Sequence, residues 1–192
     1  MQCTELISRD HVIFRRGLDI LDGMVKKLED GERIEIADVT AILKFLKFFG
    51  DEYHQAMEER ILFPALLGTA PQEGSLRQIF QEHSEERAAV AEIEAALNPK
   101  KGIAFVRSSR RLILLLRNHL DKEDFILPDI AERSLSKEED EMVVAEYTKN
   151  RTEAETLVNF ARLEKKYLRK PQGTPLKSER QLARAPGAGS YT

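Results

Sequence analysis

Residues 53–64 read YHQAMEERILFP, and residues 118–128 read NHLDKEDFILP. In both stretches a histidine is followed four residues later by a glutamate: His54 with Glu58, and His119 with Glu123. Residues four apart lie on one face of an α-helix, with Cβ atoms about 5–6 Å apart. Each stretch therefore predicts a helix that presents an imidazole and a carboxylate side by side. The proline that follows, which has no N–H to donate, is expected to end or kink each helix.

Apolar residues recur at three- and four-residue steps along most of the chain, a pattern typical of amphipathic helices. The pattern is strongest in residues 11–28, 39–65, 76–97 and 105–130. Breaks at 30–32, 68–71 and 98–102 contain Gly or Pro, and such short connections favour antiparallel neighbours. Strand patterns are weak. We therefore predict an all-α fold, an up-down-up-down antiparallel four-helix bundle.

The chain has 192 residues, which suits one domain of ordinary size with extensions. We predict the bundle over residues 1–133 and an accessory extension of one or two helices over residues 134–169. Ser134 or Ser136 can cap the first accessory helix. Residues 170–192 are dominated by Pro, Gly, Ser, Arg and Lys, so we predict a disordered tail there.

Composition excludes several classes of protein. The formal net charge of −3 gives no electrostatic indication of nucleic acid or of an anionic membrane. No apolar run approaches the roughly 18 residues that a membrane span needs, and the N-terminus lacks the pattern of a signal peptide. The single cysteine, Cys3, cannot form an intramolecular disulfide. Such cysteine usage is typical of a reducing compartment, and we predict a cytoplasmic protein.

The histidines indicate a metal site. The chain has 4 histidines, one on the apolar face of each predicted helix. A lone histidine there is usually a core residue, but four on four helices favour a shared site, and two buried glutamates are costly unless paired or metal-bound. Nitrogen and oxygen donors suit iron, zinc or manganese. Six ligands are too many for one tetrahedral zinc and suit two metals, each capped by two histidines and bridged by both glutamates: His11, His54, Glu58, His83, His119 and Glu123.

The order of these residues repeats within the chain. A lone histidine followed by His-x3-Glu occurs twice, which predicts pseudo-two-fold symmetry with the metals near the axis. Arg15 and Arg87 each lie four residues after a lone histidine. Each arginine could pair with a ligand glutamate or lie at the edge of the bundle with its stem buried, and we favour the edge.

These motifs resemble those of the hemerythrin-like, or HHE cation-binding, domain family. The resemblance covers roughly residues 5–133 and rests on His11, His83 and the two quoted blocks. It implies that the six residues hold two iron ions joined by an oxo or hydroxo bridge (Fe-O-Fe). The oxygen carriers of the family have a fifth histidine one turn after the third-helix histidine, where this chain has Arg87, preceded by Glu86.

The missing fifth histidine bears on function. The resemblance implies an open position at both irons, which permits chemistry and disfavours simple oxygen transport. We therefore predict a di-iron protein that reacts with or senses a small oxidant: oxygen, peroxide or nitric oxide. Glu86 and Tyr53 are candidates for a supplementary ligand.

Two other functions were considered. The alternative is an iron store or iron-responsive regulatory module without turnover, with the C-terminal extension as the surface for a protein partner. A ferritin-like oxidase would show Glu-x-x-His on two helices. None of the residues three before the histidines is glutamate, which disfavours that class: Ser8, Asp51, Phe80 and Leu116. The sequence leaves enzyme and sensor open.

Overall fold

Helices form all the regular structure of this computed structural model, which describes residues 1–67, 73–97, 102–156 and 160–168. The predicted tail over 170–192 and the predicted breaks at 68–71 and 98–101 lie outside the described residues. Four long rods form the bundle. They are α1 (Gln2–Glu29); the second rod, made of α2 (Ile36–Phe45), π-helical segments Leu46–Gln55 and Glu58–Leu62, and α3 (Phe63–Leu67); α4 (Glu73–Ala95); and α5 (Gly102–Ser134). None of the helices in the described ranges is long and apolar enough to cross a membrane.

Neighbouring rods run antiparallel around the bundle. The order around the ring is α1, second rod, α4 and α5, so consecutive rods are neighbours in space. At three of the four interfaces, polar contacts pair rising residue numbers on one rod with falling residue numbers on the other. They are Ser8–Asp124 and Asp22–Arg110 for α1 with α5, Glu82–Lys122 and Glu92–Arg111 for α4 with α5, and Lys47–Glu94 and Glu59–His83 for the second rod with α4. The predicted all-α, up-down-up-down bundle is confirmed.

The second rod departs from the regular α-helix that its periodicity predicted. Its buried residues come in pairs that recur every four positions: Phe45 and Leu46, Phe49 and Gly50, Tyr53 and His54, Met57 and Glu58. An α-helix of 3.6 residues per turn overshoots a full turn by about 40° every four residues, so such a stripe would drift round the helix. Over Leu46–Gln55 and Glu58–Leu62 the wider i→i+5 pattern of the π-helix replaces the α-helical one. His54 and Glu58 both face the core, as do His119 and Glu123 on the regular helix α5.

The two prolines do not end their helices, so of the two predicted effects the helix end does not occur and the kink stays a prediction. Pro128 lies inside α5, which continues to Ser134. Pro64 is the second residue of α3, which continues to Leu67. Pro64 is tolerated because the first turn of a helix needs no N–H from it. Beyond Pro128, the burial of apolar side chains holds the last turns in place: Ile130 and Ala131 are at most 1% exposed.

Two accessory helices, within the predicted one or two, pack on the bundle. Helix α6 (Lys137–Thr156) lies against α1 and the π-helical segments, and α7 (Ala161–Tyr167) lies against α1. Ser136 caps α6, as proposed from the sequence. The Glu139 N–H donates to Ser136 Oγ at 3.2 Å, and the Ser136 N–H donates to Glu139 Oε2 at 2.7 Å. This reciprocal capping box defines where α6 begins.

Helix α6 is also fixed to the start of α1. The Asp140 carboxylate accepts hydrogen bonds from the backbone N–H groups of Gln2 and Cys3, both at 3.0 Å. A carboxylate at a helix N-terminus satisfies free donors and complements the helix dipole. Burial, with the contact to Asp140, raises the pKa of the Cys3 thiol to about 12. Cys3 is therefore an inert core residue.

A buried carboxylate clamps α7 to the bundle. Asp38, 0% exposed, accepts hydrogen bonds from the Tyr167 hydroxyl and Lys166 Nζ, both at 2.6 Å. Arg162 forms an ion pair with the same carboxylate at 2.6 Å. Gly23 of α1 leaves room for the Tyr167 carbonyl, which a side chain at this position would meet. The clamp places α7 in one orientation on α1 and α2.

We expect the Asp38 clamp to stabilise the fold in a pH-dependent way. Burial alone would raise the pKa of Asp38, but its three donors lower it from 3.8 to about 2. The carboxylate therefore stabilises the fold fully above about pH 4, and this contribution is lost as the pH falls through about 2. Asp38→Asn should lower the urea midpoint at pH 7, and the deficit should narrow as the pH falls from about 4 to about 2.

The matched control for the clamp is Asp129→Asn, which removes an exposed ion pair with Arg133 on α5. Exposed pairs contribute little, so its urea midpoint should stay near that of the wild type throughout. An equal deficit in both variants, or a deficit in Asp38→Asn that does not change with pH, would contradict the assignment.

Candidate metal centre

The structure brings the six predicted ligands into one buried layer that crosses all four rods. Each is at most 2% exposed: His11, His54, Glu58, His83, His119 and Glu123. Their ligand atoms fall into two groups, and within each group all atoms lie within 4.8 Å of one another. The first group comprises His11, His54, Glu58 and Glu123, and the second comprises His83, His119 and Glu123. The layer thus consists of two groups of ligand atoms that share Glu123.

Each glutamate spans the two groups through its two oxygens. The distances are 3.5 Å from Glu58 Oε1 to His54 Nε2, 3.4 Å from Glu58 Oε2 to His83 Nε2, 3.2 Å from Glu123 Oε2 to His11 Nε2, and 3.1 Å from Glu123 Oε1 to His119 Nε2. The two pairs of histidine rings also have the same arrangement. The ring centroids of His11 and His54 lie 5.0 Å apart and those of His83 and His119 lie 4.9 Å apart, and the ring planes of both pairs meet at 67°. The two halves of the layer therefore have nearly the same geometry.

The atoms that face the middle of the layer are unsatisfied. Among the described residues, no hydrogen-bond partner reaches the Nε2 atoms of the four histidines or the carboxylate oxygens of Glu58 and Glu123. Buried polar atoms almost always have a partner, and leaving one without costs free energy. A cation in each group would satisfy all of these atoms, and the nitrogen and oxygen donors suit iron, zinc or manganese.

The outer edge of each imidazole faces a second carboxylate. The Nδ1 distances are 2.7 Å from His11 to Asp124, 2.9 Å from His83 to Glu59, 3.1 Å from His119 to Glu82, and 3.7 Å from His54 to Asp10. Histidines that bind metals usually donate their other ring N–H to a carboxylate or a carbonyl. In His11, His83 and His119 that contact is a hydrogen bond, which fixes the tautomer and turns Nε2 towards the centre, whereas His54 Nδ1 lies beyond hydrogen-bond distance of Asp10.

The sequence model of the hemerythrin HHE cation binding domain matches residues 3–130 of this chain. The chain belongs to this family. The match extends from the first turn of α1 to the last turns of α5, so it includes all six layer residues and ends before the accessory helices. This hemerythrin-like domain is a metal-binding domain, and its buried histidine and glutamate cluster fits a metal site. Comparisons with curated proteins and with solved structures find no match.

The carboxylates behind the histidines were missed by the sequence analysis. Asp10 and Glu82 directly precede the lone histidines, and Glu59 and Asp124 directly follow the two glutamates. An adjacent residue lies about 100° round an α-helix, so it points past its own neighbour towards the next rod. Asp124 of α5 thus reaches His11 of α1. The sequence contains a pattern that could have predicted them: both halves of the repeat have an acidic residue directly before the lone histidine and directly after the glutamate.

Arg15 and Arg87 bind two of these four carboxylates. Arg15 Nη2 donates to Asp124 Oδ2 at 2.8 Å and to Asp121 Oδ1 at 2.7 Å, and Arg87 binds Glu59. Their side chains are 34% and 33% exposed. The arginines therefore lie at the edge of the hemerythrin-like bundle, and each contacts the residue beside a layer glutamate rather than that glutamate itself.

The pKa values of the two layer glutamates are shifted in opposite directions. Burial and the charge of Glu123 raise the pKa of Glu58 well above its usual value. Burial acts the same way on Glu123, but the charge of His119 and the closeness of His11 lower the pKa of Glu123 well below its usual value. Two carboxylates this close and this buried do not both ionise readily unless positive charge lies between them. The layer is thus suited to a cation.

Glu86 and Tyr53, the candidate supplementary ligands, are both buried. Glu86 accepts a hydrogen bond from Gln55, and its Oε1 lies 3.5 Å from His119 Nδ1, the outer nitrogen of that ring. Burial raises the pKa of Glu86 to about 7, against the opposing charges of the nearby histidines. Glu86 therefore stands behind His119, at the base of a surface cleft whose mouth includes Asp51.

We expect Asp124→Asn to weaken metal binding about 10–100-fold, because the His11 ring loses the carboxylate that orients it. The measurement is competition with a chelator for Fe²⁺. The matched control is Asp121→Asn, since Asp121 also binds Arg15 but is 71% exposed at its side chain and contacts no histidine of the layer. Equal weakening in both variants would show that Arg15, not His11, transmits the effect.

Proposed function

We propose that this hemerythrin-like domain holds two iron ions joined by an oxo or hydroxo bridge, and that it reacts with or senses a small oxidant there. The observation that carries the proposal is the pair of carboxylates that span two pairs of histidines. His11 and His54 would hold one ion, and His83 and His119 the other. Glu58 and Glu123 would bridge them.

The donor count supports two ions with room for a ligand. Two histidines and one oxygen from each glutamate give each ion four protein donors in this arrangement. Iron takes more donors than that, so bound iron would supply an open position at which small molecules react. Arg87 occupies the place of the fifth histidine of the oxygen carriers, and it points to Glu59 at the edge of the bundle. This supports reaction or sensing over simple oxygen transport.

The surroundings of the layer favour a small, uncharged or singly charged ligand. The Phe14 ring packs on His54 at 5.2 Å, and the Phe63 ring stacks on His83 at 5.9 Å. These rings exclude bulk water from the histidines. A surface cleft lined by Phe14, Gln55 and Glu86 lies beside this part of the bundle, and oxygen, peroxide or nitric oxide would approach from it.

The first test is metal analysis of aerobically purified protein, with the optical spectrum recorded before and after azide and then peroxide. We expect about two irons per chain, one for each group of ligand atoms, and charge-transfer bands that azide perturbs. Loss of added peroxide would mark an enzyme, and stable binding would mark a sensor. Two irons that do not respond to azide or peroxide would favour the iron store or regulatory module. A chain that retains no iron, or one zinc, would contradict the di-iron proposal.

We expect Glu58→Gln to lose iron while the metal-free protein keeps its stability. The pKa of Glu58 is raised well above its usual value, so the metal-free protein favours the protonated carboxyl, which glutamine imitates. The control is Glu85→Gln, at an exposed position of α4. Iron per chain and the urea midpoint of the metal-free form are the two measurements. Retained iron in Glu58→Gln would contradict a bridging role.

A further inference from the structure

Tyr147 lies on accessory helix α6, beyond the residues 3–130 that the family match covers. It is 0% exposed and is among the largest fully buried side chains of the described chain. Helix α6 packs against both π-helical segments, including the one that begins with Glu58. Tyr147 thus lies on the buried face of a helix that packs against the rod carrying His54 and Glu58.

The position of Tyr147 is fixed by its own helix. Asp140, Val143 and Tyr147 are spaced by three and four residues and are 6%, 3% and 0% exposed, so they share the buried face of α6. Asp140 binds the backbone of Gln2 at the start of α1. Because this contact sets the register of α6, the tyrosine seven residues later enters the bundle at a defined depth.

The Tyr147 hydroxyl has no hydrogen-bond partner among the described residues. Buried tyrosines normally find one, because an unpaired hydroxyl in the core costs free energy. The charged groups that act on it most strongly are Glu58 and then Asp10, with a weaker effect of Glu123. A tyrosine hydroxyl is protonated at neutral pH and can donate a hydrogen bond. A buried donor near Glu58 and Asp10, without a partner among the described residues, points to a bound molecule as its acceptor.

We propose that Tyr147 is a positioning residue of the metal centre, which donates a hydrogen bond to the small molecule or anion bound there. The inference rests on the proposed function of the layer. It makes the accessory helix part of the binding site: the four rods would supply the metal ligands, and α6 the donor that orients and selects the bound molecule. Ligands able to accept a hydrogen bond would be favoured.

The test is Tyr147→Phe in the full chain, with azide as the probe. Phenylalanine keeps the ring and removes only the donor, so iron per chain should not change. The azide dissociation constant, read from the charge-transfer band, should rise about tenfold, the usual loss for one hydrogen bond to a charged acceptor. The urea midpoint of the metal-free protein should stay the same or increase, because a buried unpaired hydroxyl has been removed.

The matched control is Tyr167→Phe on α7, another buried tyrosine, whose hydroxyl is bound to Asp38 far from the layer. It should lower the urea midpoint and leave azide affinity unchanged. An unchanged azide dissociation constant in Tyr147→Phe would overturn the proposal, with or without a change in the urea midpoint. Loss of iron from this variant would also overturn it, since Tyr147 would then act on the metal itself. Absence of iron in the wild type would instead show that the proposed function fails, and this inference with it.

Discussion

Two buried carboxylates between four imidazoles are the constraint on which the rest of this structure depends. Glu58 and Glu123 are both 0% exposed, and their oxygens have no hydrogen-bond partner among the described residues. Charge buried this way in an apolar core is costly unless it is compensated. The fold gathers the four histidines and these two glutamates into a single layer, and it packs apolar side chains along the rods on either side of that layer. The proposed cations would complete the compensation from inside the layer.

A series of polar contacts connects the layer to the surface of the bundle. From the buried His11 the chain of contacts passes to Asp124, which is 30% exposed at its side chain, and then to Arg15 at the edge of the bundle. The other half repeats this order with His83, Glu59 and Arg87. The imidazoles of His11 and His83 are thereby held with Nε2 inward, while the charge of each supporting carboxylate is balanced near solvent by an arginine. This arrangement costs less than balancing the charge within the core.

The two halves differ where the layer meets the cleft. Three residues after each lone histidine the chain has Phe14 in one half and Glu86 in the other. Phe14 packs its ring on His54, whereas Glu86 approaches the outer nitrogen of His119 and receives a hydrogen bond from Gln55. Each group of ligand atoms therefore has a phenylalanine ring packed on one of its histidines, and the group of His83 and His119 also borders Glu86, which lines a surface cleft. The pseudo-symmetry of the sequence therefore does not produce two equivalent environments.

The sequence by itself determined the bundle and the composition of its buried layer. Helical periodicity defines which face of each rod is buried, so His54 with Glu58 and His119 with Glu123 could be assigned to the interior from spacing alone. Local rules also predicted the Ser136 cap. These features depend on residues within a few positions of one another, which is the range over which sequence patterns act.

Only the tertiary structure decided which groups support and complete that layer. Asp124 meets His11 across more than a hundred residues of chain, and Tyr147 enters from a helix whose polar sequence gave little sign of it. Packing also decided where α5 ends: the helix continues past Pro128 to Ser134, and the buried Ile130 and Ala131 hold its last turns in place. Contacts between distant segments depend on how rods are stacked and turned against each other, and no spacing along the chain encodes that geometry.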